Sequence, residues 1–204
     1  GLGYWGPNLI RNVKESGCAR WLWFCDLEKD RLQKMRTMNP DVRLTTQFRD
    51  MLDDKQVQAV FIATPADTHF LMVRQTLDAD KHCFVEKPLA MTSREALELV
   101  ELAEKKKLVL MVGHVFEYND AVLKCKELID TGEIGELYYL YSHRVNLGTI
   151  RQDCNVLWSL APHDVSITNL LMGAQPEAVT ATGYKVLGGP CEDVAFIQLH
   201  YPGG

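Results

Sequence analysis

The segment Gly1-Leu2-Gly3-Tyr4-Trp5-Gly6 is a complete G-x-G-x-x-G, and a helix-forming stretch follows it at once. Three glycines fall at this spacing by chance often enough that the surroundings must decide. Pro7-Asn8-Leu9-Ile10-Arg11-Asn12-Val13-Lys14 reads as a helix with proline in its first turn, where its missing N–H costs nothing. Gly17 is a stop signal. An apolar run, 21–25, ends in Asp26, which lies 20 positions after Gly6. Turn, helix, strand and acid in this order make a cradle for a dinucleotide. The pyrophosphate rests on the helix N-terminus and the carboxylate meets the ribose hydroxyls. A carboxylate there repels a 2′-phosphate, so the pattern predicts NAD rather than NADP. The plain alternative is a turn cluster followed by an acidic helix cap. In such a fold a strand precedes the first glycine, so the sequence reads as an excerpt of a longer protein that lacks its first strand and its C-terminal part.

The remaining strand signals alternate with helices. Residues 42–45 and 58–63 read as strands, the second a continuous apolar run of the kind buried on both faces. A turn at Thr64-Pro65-Ala66-Asp67 leads to a helix over 68–79, then a strand over 82–85 ending at Glu86-Lys87-Pro88. Thr92-Ser93-Arg94-Glu95 is a capping box, and the helix after it carries an apolar stripe through Leu99 and Ala103. A strand over 108–112 ends at Gly113-His114. Strands and helices in this rhythm predict a parallel sheet with right-handed crossovers. We place this Rossmann-type α/β domain at 1–115. The rhythm then changes. Helices are expected near 120–130 and 155–172, and antiparallel strands at 138–146, 179–185 and 194–201. This gives an α+β domain at 116–204.

Composition excludes several classes. The 204 residues carry a net charge of −5 and no basic stripe, which argues against nucleic acid. The run Lys105-Lys106-Lys107 closes a helix, where cations suit the dipole. No apolar stretch reaches the length of a membrane span. The six cysteines form no C-x-x-C and suggest neither a metal site nor a disulfide framework, as expected of a protein from a reducing cytoplasm.

Ligands of open α/β sheets bind beyond the carboxyl ends of the strands. Ala63-Thr64-Pro65, Glu86-Lys87-Pro88 and Gly113-His114 all fall there. A lysine directly after a buried strand can have its pKa lowered by burial, which suits proton transfer, whereas most lysines at strand ends are simply solvated.

The glycine segment with Tyr4 and Trp5, Asp26, Thr64-Pro65 with His69, Lys81-His82, Glu86-Lys87-Pro88 and Gly113-His114 together resemble the Gfo/Idh/MocA oxidoreductase family. Asn155 to Asp164 resembles that family's second-domain active-site segment. Leu137 to Gly148 resembles the branch acting on nucleotide-linked sugars, such as the UDP-N-acetylglucosamine 3-dehydrogenases. The resemblance implies reversible hydride transfer between a nicotinamide and a hydroxyl-bearing sugar carbon. It implies a cofactor site of Gly1, Gly3, Tyr4, Trp5, Gly6, Asp26, Thr64, Pro65, His69, Glu86 and Lys87. Lys87 and His163 match the family's proton-handling pair. His114, Arg144, Asn146, Ser159 and His163 are candidate substrate residues, with no metal. A structural role for His114 and an exposed sheet face for Arg144 and Asn146 stay open. The resemblance also implies a homo-oligomer built on the second-domain sheet.

One departure stands out. Ser159 occupies the position, four before the histidine, where many members carry aspartate. Serine hydrogen-bonds but cannot act as a carboxylate base, and Pro162 between the two is expected to kink or restart the helix. Two other readings therefore remain: an NAD-dependent glycosidase on the same scaffold, and a non-catalytic nucleotide-binding relative.

Overall fold

A computed structural model of the chain describes residues 1–20, 22–145 and 154–203. It divides into two compact units, Gly1–Gly113 and His114–Gly204. The first holds β1 (Trp23–Cys25), β2 (Arg43–Thr45), β3 (Ala59–Ile62), β4 (His82–Val85) and β5 (Leu110–Val112), with helices between them. All pairings are parallel. Strands β1 and β2 form one ladder, and β3, β4 and β5 form another in that order. The register sets Ile62 beside Val85 and Val85 beside Val112, so the last three strands end side by side.

The helices are α1 (Gly6–Glu15), α2 (Lys29–Met38), α3 (Phe48–Asp53), α4 (His69–Asp78) and α5 (Ser93–Lys106). The capping box forms as expected: the Thr92 hydroxyl accepts from the Glu95 N–H. Val60, Ile62, Cys83 and Val85 from the strands pack with Val73 and Leu77 of α4 and with Leu99 and Ala103 of α5 in the main core. A second cluster joins Leu2, Phe24, Leu32 and Met35. Burial pushes the Cys83 thiol up to about 12.

The apolar run at 58–63 is not covered on both faces, contrary to expectation. Val60 and Ile62 are buried, but Phe61 is 44% exposed and stacks on Phe84 of the neighbouring strand. Helices α4 and α5 cover one side, and aromatic stacking across the ladder holds residues on the other. The six-residue helix α3 is an addition, too short for a periodic apolar signal to show.

In the second unit α6 (Asp120–Asp130) and α7 (Val156–Met172) accompany an antiparallel pair, β6 (Ala178–Tyr184) and β7 (Val194–His200). Helix α7 is capped by the Asn155 side chain, which accepts from the Trp158 N–H, and closes at Gly173 in the left-handed region. Pro162 neither breaks nor restarts it. Proline removes one N–H, and the rest of the 17-residue ladder carries the helix past it.

The strand expected at 138–146 is not formed over its described residues, 138–145. These are irregular, with Tyr138, Tyr139 and Tyr141 each 81% exposed. Alternation gives side chains a period of two, but a strand also needs a ladder partner, and none pairs with this segment among the described residues. Asn146 lies outside the described residues, as does Trp21 of the first apolar run.

Candidate functional site

In the first unit the candidate cofactor residues gather around the glycine turn. A Cβ on Gly1 would sit 2.5 Å from the Ala63 carbonyl oxygen, and one on Gly6 would sit 2.3 Å from the Gly1 carbonyl oxygen. Two of the three glycines are therefore required by the turn's own packing, against the end of β3 and against itself. Gly3 differs: a Cβ there would meet nothing within 4 Å. Its open side leaves room for close approach of a pyrophosphate to the backbone. Helix α1 starts at this turn with no side-chain cap on its first N–H groups, so its positive end suits an anion. Tyr4 and Trp5 are exposed and meet edge to face, with centroids 5.7 Å apart.

Asp26 follows β1 and faces the same turn. One carboxylate oxygen accepts from the Leu2 N–H at 2.6 Å and the other from the Glu28 N–H at 2.9 Å. Burial raises its pKa, but these two bonds and the Arg31 guanidinium at 3.7 Å outweigh burial, holding the carboxyl below its usual range. Each oxygen keeps a further lone pair for a ribose hydroxyl. Sequence reasoning assigned Asp26 the ribose alone; in the structure it also fastens the glycine turn to β1.

Thr64 and Pro65 follow β3, and Glu86 and Lys87 follow β4. Lys87 is half-buried, and the Lys87–Pro88 peptide is cis. Burial pushes the Glu86 carboxyl up, against the pull of the Lys87 N–H and ammonium. A Cβ on Gly113 would lie 3.2 Å from the Glu86 carboxylate, so the glycine after β5 gives that side chain its space. His69, expected to touch the cofactor, is 1% exposed. Its Nδ1 lies 2.6 Å from the Pro88 carbonyl oxygen and its Nε2 3.0 Å from that of Thr64. With both ring nitrogens against backbone carbonyls, the ring is packed between the two loops rather than turned to the surface.

The second unit carries the other candidates. The continuity of α7 puts Ser159 and His163 four residues apart on one helical face. The His163 ring packs against Phe116, with centroids 4.8 Å apart. His114 Nδ1 is buried with no hydrogen-bond partner among the described residues. A group in that state invites a ligand or a water. Arg144, a candidate substrate residue, is held by an acid of its own unit. Asp164 takes its guanidinium on both oxygens, Nε at 2.6 Å and Nη2 at 3.2 Å, and also accepts from the Ser142 hydroxyl at 2.6 Å. The guanidinium lies 5.0 Å from the Phe116 centroid. One edge of the guanidinium, Nε and Nη2, is thus engaged within the unit. Sequence reasoning missed this clamp, whose halves are 20 positions apart with no motif joining them.

Burial raises the Asp164 pKa, but the bonds from Arg144 and Ser142 and the nearby charges more than reverse it, leaving a net lowering. A lowered folded value means stability that is present above the unfolded value of about 4 and lost as pH falls through the folded one. Asp164→Asn is expected to cost about 1–2 kcal/mol at neutral pH, because the pair is partly solvated. It should also flatten the acid limb of the melting profile below about pH 4. An unchanged acid limb would show that the clamp does not set it.

No group of three or more His, Cys, Asp or Glu able to hold a metal occurs among the described residues. No helix among them is long and apolar enough to cross a membrane.

Comparison with known proteins identifies the family. Residues 1–114 match the profile described as an oxidoreductase family with an NAD-binding Rossmann fold, and residues 122–204 match the GFO/IDH/MocA C-terminal domain. The UDP-N-acetylglucosamine 3-dehydrogenase of Acidithiobacillus ferrooxidans is 34% identical over 63% of the chain and 40% of its own length. The 2,7-anhydro-N-acetylneuraminate hydratase of Mediterraneibacter gnavus is 28% identical over 98% of the chain and 57% of its own. Among solved structures, GenD2 from gentamicin A biosynthesis, in complex with NAD, superposes with a TM-score of 0.90 at 25% identity, covering 100% of this chain and 61% of that one. The chain spans roughly half the length of the curated relatives it matches. With a profile for the NAD-binding Rossmann domain over residues 1–114 and one for the C-terminal domain over 122–204, the chain belongs to the Gfo/Idh/MocA oxidoreductase family.

Proposed function

We propose that the protein of which this chain is part is an NAD-dependent dehydrogenase of a sugar or nucleotide-sugar. The observation that carries the reading is the pairing of an open Gly3 turn with Lys87 at the end of β4 in one unit. The UDP-N-acetylglucosamine 3-dehydrogenase relative supports the substrate class. Gly3, the N-terminus of α1 and Asp26 hold the dinucleotide; Thr64, Pro65 and Glu86 line the nicotinamide end. Bound NAD supplies the hydride acceptor. Lys87, a donor with no acceptor capacity, hydrogen-bonds the sugar oxygen as it becomes a carbonyl. His163 takes the hydroxyl proton, a task suited to the imidazole as a residue type. Ser159 contributes a hydrogen bond rather than a base, so in the second unit the proton falls to His163.

The test is to incubate the protein with NAD and a panel that includes UDP-N-acetylglucosamine and free sugars, following NADH absorbance and product mass together. NADH formed in step with an oxidised sugar supports the reading. Substrate consumed with no NADH would replace it with a redox-neutral reaction, of which hydration, named for the M. gnavus relative, and glycoside cleavage are two forms. NADH binding with no turnover of any candidate would favour a non-catalytic role.

The preference for NAD is checked at Asp26. Asp26→Ser is expected to weaken NADH binding about tenfold by removing a charge-assisted ribose contact. NADPH affinity should rise relative to NADH. Equal affinity of wild type and variant for NADH would remove Asp26 from the cofactor site.

A further inference from the structure

We infer that His69 is a positioning residue, which sets the nicotinamide end of the cofactor site by joining two strand ends through one ring. The ring opens helix α4 and is buried under the loops that follow β3 and β4. One nitrogen meets the carbonyl of Thr64, two residues past the end of β3. The other meets the carbonyl of Pro88, the residue after Lys87.

Each loop has local bonds of its own. Thr64 Oγ1 and Thr68 Oγ1 lie 2.7 Å apart, the Thr68 hydroxyl donates to the Pro65 carbonyl at 2.7 Å, and the Glu86 N–H donates to the Ile62 carbonyl at 2.9 Å. The last of these ties the strands themselves. Beyond the ladder, the imidazole spans from Thr64 to Pro88. The arrangement also reaches the glycine turn, since a Cβ on Gly1 would lie 3.0 Å from Thr64 Cγ2. A shift of the Thr64 carbonyl therefore moves one wall of the turn, and a shift of Pro88 moves the backbone that carries Lys87. Losing the ring removes the group packed against both carbonyls, together with the one N–H that a neutral imidazole can donate to either of them. The loops are then free to relax independently, which a site that must hold a planar ring in register cannot absorb.

The inference rests on the placing of the nicotinamide at the ends of β3 and β4 proposed above. It is tested by comparing NADH with ADP-ribose, which shares the adenosine and pyrophosphate but lacks the nicotinamide. Binding of both is measured by titration calorimetry for wild type, His69→Leu and His69→Gln. His69→Leu is expected to weaken NADH about tenfold, one hydrogen bond's worth, and to leave ADP-ribose within about twofold. His69→Gln, which retains an amide donor for one carbonyl, should fall between.

Equal loss for the two ligands would mean a general structural role and overturn the inference, as would no loss for either. If His69→Leu fails to fold, the Gln variant decides alone. A lowered ratio of NADH to ADP-ribose affinity supports positioning, and an unchanged ratio refutes it. Wild type binding both ligands equally would show that the nicotinamide makes no contact, which overturns the placing and the inference together. A normal wild-type ratio that no variant alters overturns the inference alone.

Discussion

Lys87→Ala is expected to lower turnover by about 10²–10⁴-fold, the range for loss of a positioned proton-handling group, while NADH still binds. The physical basis is local. Strand β4 delivers Lys87 to the carboxyl end of the sheet, beside Glu86, whose place is kept clear by Gly113. An ammonium there is a donor in a partly desolvated setting, where a hydrogen bond to a developing carbonyl is stronger than in water. Lys87→Arg keeps the charge but spreads it over a longer planar fork, so it should recover little activity. Steady-state kinetics with the substrate found in the NAD panel, alongside an NADH titration, separates the two contributions. Full activity in Lys87→Ala would remove the residue from the mechanism.

The second large effect separates stability from binding within one motif. Gly6→Ala places a methyl group 2.3 Å from the Gly1 carbonyl oxygen, which is backbone and cannot swing aside. Overpacking of this kind is expected to cost about 2–3 kcal/mol. In a domain of this size that lowers the melting temperature by roughly 10–20 °C. Gly3→Ala meets no atom within 4 Å, and its backbone is not in the left-handed region, so the fold should tolerate it. Its methyl group would stand on the open side of the turn, where the pyrophosphate approaches, and should weaken NADH binding with the melt unchanged. Trp5 energy transfer to NADH reads the binding and circular dichroism reads the melt. The two variants exchanging these phenotypes would invert the assignment of the glycines.

Much of this was legible in the sequence because it rests on short-range signals. The capping box at Thr92 and the helices expected near 120–130 and 155–172 are local chemistry, and the structure has them where the residues are. The parallel strands were legible as apolar runs between helices. Tertiary facts were not. Nothing in the run at 58–63 says that Phe61 faces away from the helices and stacks on Phe84. The alternation at 138–145 has the period of a strand but pairs with no strand among the described residues. The dual engagement of His69 and the clamp of Asp164 on Arg144 depend on residues brought together from 19 and 20 positions away. Such pairings appear once the chain is folded, and both change what a side chain is free to do.

Asp26 carries an implication for anyone wishing to re-engineer cofactor use. The same carboxylate proposed to meet the ribose is the acceptor that ties Leu2, and with it the glycine turn, to the end of β1. On that proposal, discrimination against a phosphate and integrity of the loop are encoded in one residue. A switch to NADP by substitution at this position alone trades selectivity against folding. It would call for a compensating acceptor for the Leu2 N–H introduced elsewhere, and variants selected for the new cofactor should accumulate it as a second-site change.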